Sequence, residues 1–226
     1  MAAEATFLGG LTEPDRQALL SVTREQQLGT GESLFRHGDT GSSFAVLLTG
    51  RFKLVSRAPS GRSALLGMRG PGDLIGEIAV LDEGSRSADV VAVEPARVAV
   101  GSADALRRIL AERPSILLVL CRSLIRRLRE ADEGRVELGA LTGHARVALR
   151  LLQLARRYGR PVAQGVEIAL PLSQDEIADW TGQSRPAVAR AMAEFRRAGL
   201  VVTARRSLTL PNPSGLEAYA EAARAD

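Results

Sequence analysis

Two residues in the middle of the chain, Glu77 and Arg86, have complementary chemistry and lie on either side of a predicted turn. The Glu77 carboxylate can accept hydrogen bonds from a sugar hydroxyl, and the Arg86 guanidinium can pair with a phosphate. Ser87 can add a hydroxyl group and a backbone N–H. Because the turn lets these groups converge, they predict a site for a small anionic sugar phosphate. The alternative is a surface Glu–Arg ion pair that only stabilises the turn.

A second set of residues follows the order that is typical of a helix-turn-helix. Ser173 and Glu176 form a capping box that opens a first helix. Gly182 permits a tight turn, Ser184 caps a second helix, and Pro186 falls in the first turn of that helix. In this motif the second helix enters the major groove. The sequence therefore predicts binding to double-stranded DNA.

The predicted DNA contacts are arginines and helix caps. Arg185 and Arg190 face away from the apolar stripe of the second helix, and we predict that they read bases, because arginine can donate two hydrogen bonds to guanine. The predicted stripe consists of Val188, Met192 and Phe195. Residues 201–210 are predicted to form a β-hairpin wing with a basic tip. The predicted phosphate contacts are Ser173, Ser184, Arg205 and Arg206.

The distribution of charge supports this interpretation. The net charge is +4, yet residues 1–138 hold 18 basic and 18 acidic residues. Residues 139–213 hold 11 arginines and only five acidic residues. A basic excess confined to the segment with the helix-turn-helix is typical of a nucleic-acid-binding domain. The alternative is a surface that is merely rich in arginine, since Lys53 is the single lysine.

The composition argues against several classes of function. Cys121 is the single cysteine, which excludes an intramolecular disulfide and an iron–sulfur cluster, and His37 and His144 are too few for a typical zinc or haem site. No Ser–His–Asp set or Walker loop supports an enzyme. The sequence has no recognisable secretory signal and no run of roughly 20 apolar residues. We therefore expect a cytoplasmic protein with no membrane partner.

The elements that position these residues change in character along the chain. Thr12 is predicted to cap a short helix. Between residues 31 and 100, short apolar or alternating runs are separated by glycine turns, which predicts a β-sandwich, a jelly roll or a barrel. Residues 102–110 and 142–158 are predicted helices, residues 159–166 a loop, and residues 166–170 a strand.

A long helix is predicted to begin near Pro114. Its predicted apolar seam comprises Leu117, Leu120, Leu124, Leu128, Ala131 and Leu138. The other faces of the helix are charged. A helix with one apolar seam favours pairing with a second copy of itself. The alternative is a helix that lies on its own domain.

Over nearly its whole length the chain resembles the cyclic-AMP receptor protein and fumarate–nitrate-reductase regulator (CRP/FNR) family. The matching motifs are GESLFRHGD at residues 31–39, GRFKL at 50–54, PGDLIGE at 71–77 and LSQDEIADWTGQSRPAVAR at 172–190. The resemblance implies an α+β protein with an N-terminal cyclic-nucleotide-binding β-roll (a jelly roll), a long dimerisation helix and a C-terminal winged helix-turn-helix. The expected boundaries are residues 1–110, 111–138 and 139–226.

Residues 76–88 look like the phosphate-binding cassette of this family, which implies that cAMP or cGMP is the effector. The predicted ligand-binding residues are Gly76, Glu77, Arg86, Ser87, Ala88, Arg127 and Asp132. In cyclic-AMP-responsive relatives, two adjacent hydroxyl residues of the dimer helix contact the adenine, and the matching positions here are Ala131 and Asp132. The two acceptors of Asp132 fit the paired N–H donors of guanine better than adenine. The alternative is an ion pair between Asp132 and an arginine.

The resemblance also implies a homodimeric transcription regulator that binds a two-fold-related DNA operator, with RNA polymerase as a further candidate partner. A ligand against the dimer helix would reorient the two winged helices. Pro186 stands where relatives often have a base-reading Glu, so we expect a different sequence preference there. The main alternative is the same DNA-binding role with a non-nucleotide effector or none. A second alternative is a nucleotide-binding module that regulates a protein partner.

Overall fold

The computed structural model describes residues 6–57, 63–170, 173–204 and 207–222. The chain divides into two compact units, Met1–Arg129 and Glu130–Asp226. In the described ranges, every helix is too short or too polar to cross a lipid bilayer.

The described part of the N-terminal unit contains two antiparallel sheets. Its strands are Arg24–Leu28 (β1), Ser33–Phe35 (β2), Ser43–Thr49 (β3), Phe52–Arg57 (β4), Ser63–Arg69 (β5), Leu74–Ile75 (β6), Asp89–Ala92 (β7) and Ala96–Ser102 (β8). One sheet has the strand order β1-β8-β3-β6 and the other β2-β7-β4-β5. This arrangement confirms the β-roll that the family resemblance implies. The sequence pattern did not predict strands β1 and β2.

Strand β3 lies between two apolar clusters because its residues are apolar on both faces. Phe44 and Val46 belong to one cluster, whereas Ala45 and Leu47 belong to the other. The first cluster includes residues from the helices of the unit, and the second includes residues of the opposite sheet, such as Phe52. Because alternate residues of a strand point to opposite faces, a continuous apolar run marks a strand that is buried on both sides.

Two helices of this unit begin at hydroxyl caps, of which Thr12 was predicted. The helices of the unit are Glu13–Ser21 (α1), Glu77–Leu81 (α2), Ala103–Glu112 (α3) and Pro114–Ala140 (α4), the last of which continues into the C-terminal unit. Thr12 accepts the backbone N–H of Asp15 at 3.4 Å, and Ser102 accepts that of Ala105 at 3.2 Å. These side chains satisfy donors that a helix leaves unpaired at its N-terminus.

Helix α4 has two apolar faces, and the single seam predicted from the sequence combines parts of both. Leu120 is fully buried in the core of its own unit, and Leu124 packs against the same cluster. Leu128, in contrast, is exposed, as are Leu118 and Ile125. The prediction that Leu120 lies on a seam for a second copy is therefore wrong. Spacings of three and four residues occur on both faces, so periodicity alone does not separate them.

The C-terminal unit combines helices with a four-stranded sheet. Its helices are Gly143–Tyr158 (α5), Gln174–Thr181 (α6), Arg185–Arg197 (α7) and Pro213–Ala222 (α8). Its strands are Gly159–Val162 (β9), Gly165–Ile168 (β10), Val202–Thr203 (β11) and Leu208–Leu210 (β12), in the order β11-β12-β10-β9. Thr142 caps α5 as predicted. Helix α8, which buries Leu216 and Ala220, is an element that the sequence did not suggest.

The predicted loop at residues 159–166 is wrong, because β9 lies there and pairs with β10. Proline, here Pro161, cannot donate a ladder hydrogen bond and argues against a central strand. It is tolerated because β9 is at the edge of its sheet. Trp180 lies near the end of α6. It is half-buried, and the guanidinium carbon of Arg150 lies 5.4 Å from the centroid of its ring.

Candidate functional site

Glu77 and Arg86 are both buried, with 2% and 5% of their surfaces exposed. Glu77 is the first residue of α2, and Gly76 before it has a φ of +83°. Arg86 follows the turn after α2, where its backbone N–H donates to the carbonyl of Asp39 at 2.8 Å. The alternative of a surface ion pair is therefore wrong. Charged groups held in an interior need specific partners, and each of these two residues has them.

Glu77 forms an ion pair with Arg127 of helix α4. The Arg127 Nη1 donates to Glu77 Oε1 at 2.6 Å, and the Nη2 donates to the carbonyl of Leu74 at 2.7 Å. The Arg127 side chain is only 13% exposed. The pair thus connects the turn of the cassette to the long helix. That Arg127 contacts a ligand stays a prediction, but its position beside Glu77 places it within the same group of residues.

Arg86 is enclosed by residues from distant parts of the chain. Its Nη1 donates to the carbonyl of Gly76 at 2.8 Å, and its Nη2 donates to the carbonyl and the hydroxyl of Ser43 at 2.7 and 3.1 Å. The ring centroid of Phe35 lies 3.9 Å from the guanidinium carbon. Burial lowers the pKa of Arg86, while the nearby charges of Asp39 and Glu77 act to raise it.

Phe35 and Ser43 are members of this group that sequence reasoning missed. Ser43 is 43 residues from Arg86 along the chain, and no local pattern links them. Gly76 contributes through its lack of a side chain, since a Cβ there would come within 2.7 Å of both Arg86 Nη1 and Phe35 Cε2. Its positive φ also favours glycine. The packing around Arg86 therefore requires glycine at position 76, which is one of the predicted site residues.

The remaining predicted ligand residues differ in burial. Ala88 is buried and Ser87 is exposed. Ala131 and Asp132 are exposed residues of α4 within the C-terminal unit. Their contact with a ligand, like that of the other cassette residues, stays a prediction. Chemically, a buried carboxylate and two guanidinium groups in one small region can bind a ligand with both hydroxyl and anionic groups.

The helix-turn-helix has the caps that the sequence predicts. The Ser173 hydroxyl accepts the N–H of Glu176 at 3.2 Å, and the Ser173 N–H donates to the Glu176 carboxylate at 2.8 Å. Gly182 ends α6 with a φ of +63°. Ser184 accepts the N–H of Ala187 at 3.4 Å and begins α7. These contacts fix the ends of two short helices, whose relative position is the basis of the motif.

The outward face of α7 carries the predicted base readers. Val188, Met192 and Phe195 are buried, as predicted, so the opposite side of the helix is exposed. Arg190 lies on that side, and Arg185 and Pro186 are exposed at the start of the helix. A stripe buried every three or four residues leaves the rest of a helix in water. Contacts of these residues with bases stay a prediction.

An acidic residue that sequence reasoning did not assign lies next to Arg185. Asp175 Oδ1 is 3.7 Å from Arg185 Nε, and both side chains are largely exposed. Asp175 and Glu176 also contribute to raising the pKa of Asp179, after the larger effect of its partial burial. Because exposed ion pairs are weak, this one leaves Arg185 available to another partner.

The wing is present as a hairpin of β11 and β12. Thr203 pairs with Leu208, and the N–H of Ala204 donates to the carbonyl of Ser207 at 2.9 Å. Arg205 and Arg206, the predicted basic tip, lie outside the described residues. The predicted β-hairpin is therefore confirmed, whereas its phosphate contacts stay a prediction.

Comparison with known families agrees with both regions. The family described as "Cyclic nucleotide-binding domain" matches residues 25–113, and the "Crp-like helix-turn-helix domain" matches residues 145–219. The chain is 34% identical over 187 residues to the "CRP-like cAMP-activated global transcriptional regulator" of Mycobacterium tuberculosis. That match covers 81% of this chain and 84% of the relative.

Solved structures show the same architecture. A transcriptional regulator of the CRP family from Thermus thermophilus has a TM-score of 0.74 and 27% identity, over 87% of this chain and 96% of that one. The c-di-GMP responsive global regulator CLP of Xanthomonas campestris has a TM-score of 0.77 over 88% of this chain and 99% of that one. At 20% identity it shows the fold alone. The sequence similarity, the two domain matches and the shared fold together establish that this chain belongs to the CRP/FNR family of DNA-binding transcription regulators.

Proposed function

We propose that this protein is a homodimeric, sequence-specific transcription regulator that a cyclic nucleotide switches. The observation that best supports the effector is the environment of Arg86. Among the described residues, the hydrogen-bond acceptors of this buried guanidinium are two carbonyls and one hydroxyl, all of them neutral. A buried cation without a carboxylate at contact distance gains much from an anionic ligand, because charge-assisted hydrogen bonds are strong where water is excluded.

Glu77 supplies the second half of nucleotide recognition in this proposal. Its carboxylate has accepting positions beyond the one that binds Arg127, and a ribose hydroxyl is a suitable donor. The Glu77–Arg127 pair provides a route by which a ligand alters α4. A ligand that binds one arrangement of this pair better than another shifts the population of the two arrangements.

Two candidates for the base of the nucleotide follow, one from a residue of this chain and one from a relative. The Asp132 carboxylate can accept two hydrogen bonds, which matches guanine and therefore cGMP. The relative with 34% identity is named as cAMP-activated, which supports cAMP instead. Both nucleotides are therefore tested side by side, together with cyclic di-GMP.

The DNA-binding half of the proposal rests on Arg185 and Arg190 on the exposed face of α7. Each can donate two hydrogen bonds to guanine, and the capped N-termini of α6 and α7 suit phosphate contacts. Such a protein acts in the cytoplasm as a regulator and not as an enzyme. RNA polymerase, which would transcribe the regulated DNA, is a further proposed partner.

The deciding experiment is footprinting on genomic DNA fragments, with and without cAMP, cGMP and cyclic di-GMP, accompanied by titration calorimetry of the protein with each nucleotide. We expect protection of a two-fold-related site that one nucleotide strengthens at least tenfold. If none of the nucleotides alters DNA affinity, the effector assignment is wrong and the alternative of another effector, or none, replaces it. If no fragment is protected under any condition, the DNA-binding assignment fails as well.

The proposed homodimer uses the exposed face of α4. Leu118, Cys121, Ile125 and Leu128 are exposed and follow spacings of three, four and three residues. These spacings are those of the a and d positions of a coiled coil. Ile125 at an a position and Leu128 at a d position is a combination that favours two parallel strands. A second copy of this chain is therefore the proposed occupant of this face.

The single cysteine gives a direct test of this dimer. Mild oxidation should produce a covalent dimer on a non-reducing gel, because a parallel pair brings the two Cys121 side chains to the same level of the seam. Cys121→Ser should abolish the product. Ile125→Glu should convert the protein to a monomer in size-exclusion chromatography, whereas Leu66→Glu, an equally exposed apolar position on β5, should leave the dimer intact. Dimers of Ile125→Glu would contradict the proposed seam.

A further inference from the structure

We infer that Ser43 and Phe35 are positioning residues that hold Arg86 in a fixed orientation for the phosphate of the ligand. This inference rests on the proposed function, because it concerns the same anion. Ser43 begins β3 and Phe35 ends β2, so each comes from a different sheet. Neither residue belongs to the cassette at residues 76–88.

The contacts define the orientation of the guanidinium at three points. Gly76 accepts from one terminal nitrogen, Ser43 accepts from the other with two oxygens, and the Phe35 ring covers one face. These bonds use at most three of the five N–H donors of arginine. At least two donors therefore stay available for the oxygens of an anion.

The position of Ser43 is itself fixed by backbone pairing. It lies opposite Ser102 in the β3–β8 ladder, and the side chain of Arg86 reaches both its carbonyl and its hydroxyl. A flexible arginine loses much side-chain entropy when it binds a ligand. Because the folded protein already fixes the guanidinium, this side-chain entropy is lost on folding and not on ligand binding. Ser43 and Phe35 should therefore increase affinity for the anion without touching it.

Phe35 adds a second effect through its aromatic face. A guanidinium within 6 Å of a ring centroid is attracted by the ring, and more strongly when both are desolvated. The ring also keeps water from that face of Arg86, so that competition for the cation is reduced. Leucine at this position would preserve apolar volume while removing the attraction.

The test is titration calorimetry with whichever of cAMP and cGMP the wild-type protein binds more tightly. Ser43→Ala should weaken binding about fivefold, the value of one hydrogen bond, and Ser43→Thr should bind within about twofold of wild type because it retains the hydroxyl. Phe35→Leu should weaken binding about threefold or more. The matched control is Ser42→Ala, since Ser42 is an exposed neighbour whose backbone carbonyl accepts from Ala103.

A double-mutant cycle separates positioning from a merely structural role. Arg86→Lys keeps the charge but loses the geometry that Ser43 controls, so Ser43→Ala should have little further effect in that background. Equal effects of Ser43→Ala in both backgrounds would overturn the inference, as would wild-type affinity of Ser43→Ala. If the wild-type protein binds neither cAMP nor cGMP, these two effectors fail, and the role of Ser43 in binding them fails as well. Circular dichroism confirms that each variant is folded.

Discussion

In the N-terminal unit the charged residues of the candidate ligand site are buried, whereas in the C-terminal unit the predicted DNA readers are exposed. Glu77 and Arg86 expose 2% and 5% of their surfaces, while the Arg185 side chain exposes 69%. The buried residues have short hydrogen bonds to fixed partners. Within the part of the chain that the structure describes, the ion pair of Arg185 is a 3.7 Å contact with Asp175, which is itself exposed.

The difference reflects what each region has to recognise. A small anion of fixed shape is selected by charged groups that are already oriented and desolvated, which requires burial and many partners. DNA is a large polyanion that is reached by side chains from a surface, and much of the affinity comes from charge. In the N-terminal unit, the protein therefore fixes the orientation of a charged side chain. In the C-terminal unit, Ser184 and Gly182 fix the ends of the two helices of the motif instead.

The largest predicted effect is on the stability of the N-terminal unit. Glu77→Ala removes a buried carboxylate and leaves Arg127, whose side chain is only 13% exposed, without its partner, which should lower the free energy of unfolding by about 3–5 kcal/mol. Denaturant unfolding followed by circular dichroism measures this loss. The fluorescence of Trp180, the single tryptophan, reports the C-terminal unit separately and should change little.

Its matched control is Glu25→Ala in the same unit. Glu25 pairs with Arg97 at 3.4 Å on the surface, where both side chains are at least half exposed. The free energy of unfolding should change by less than about 0.5 kcal/mol. Equal losses for the two variants would show that burial does not distinguish the two pairs, and would break the comparison.

The next prediction concerns a loss of DNA affinity that is not accompanied by a loss of stability. Arg185→Ala should weaken binding to the preferred DNA site by about 1–3 kcal/mol, or about 5- to 150-fold. The free energy of unfolding should be unchanged or slightly increased, because a cation at a helix N-terminus is unfavourable. Fluorescence anisotropy with labelled DNA and thermal melting give the two values. A variant that binds DNA normally would remove Arg185 from the reading surface.

The smallest predicted effect sharpens the comparison within the C-terminal unit. Glu194 of α7 accepts the Tyr219 hydroxyl of α8 at 2.6 Å, and His144 Nδ1 of α5 lies 3.2 Å from the same carboxylate. This carboxylate is thus held by fixed partners, like the charges of the other unit. Tyr219→Phe should lower the free energy of unfolding by about 1 kcal/mol, as measured by denaturant unfolding followed through Trp180.

The effect of Tyr219→Phe should depend on pH. Burial, followed by the hydrogen bond to Glu194 and its charge, raises the pKa of Tyr219 to about 12. The unfolded chain releases this proton near pH 10. The stabilisation is therefore complete below about pH 10 and is lost as pH rises towards 12. Melting temperatures should differ between wild type and Tyr219→Phe below pH 10 and converge above it, and a constant difference would contradict the assignment.

Local features allowed much of the DNA-binding unit to be predicted. The capping box of Ser173 and Glu176, the turn at Gly182 and the buried stripe through Val188 each depend on residues within about two helical turns. Patterns of this range are visible in sequence because their physics is local. In contrast, β9 was missed because Pro161 is acceptable only at a sheet edge, and the position of an edge depends on the whole sheet.

The sequence by itself determined that Glu77 and Arg86 flank a turn, that two capped helices surround Gly182, and that Arg185 and Arg190 face outward. These features follow from the chemistry of neighbouring residues. Only the tertiary structure decided that Arg127 pairs with Glu77, that Phe35 and Ser43 enclose Arg86, and that Leu120 of α4 is buried whereas Leu128 is exposed. These contacts join residues up to 51 positions apart, and the packing of sheets and helices that creates them is a property of the whole unit.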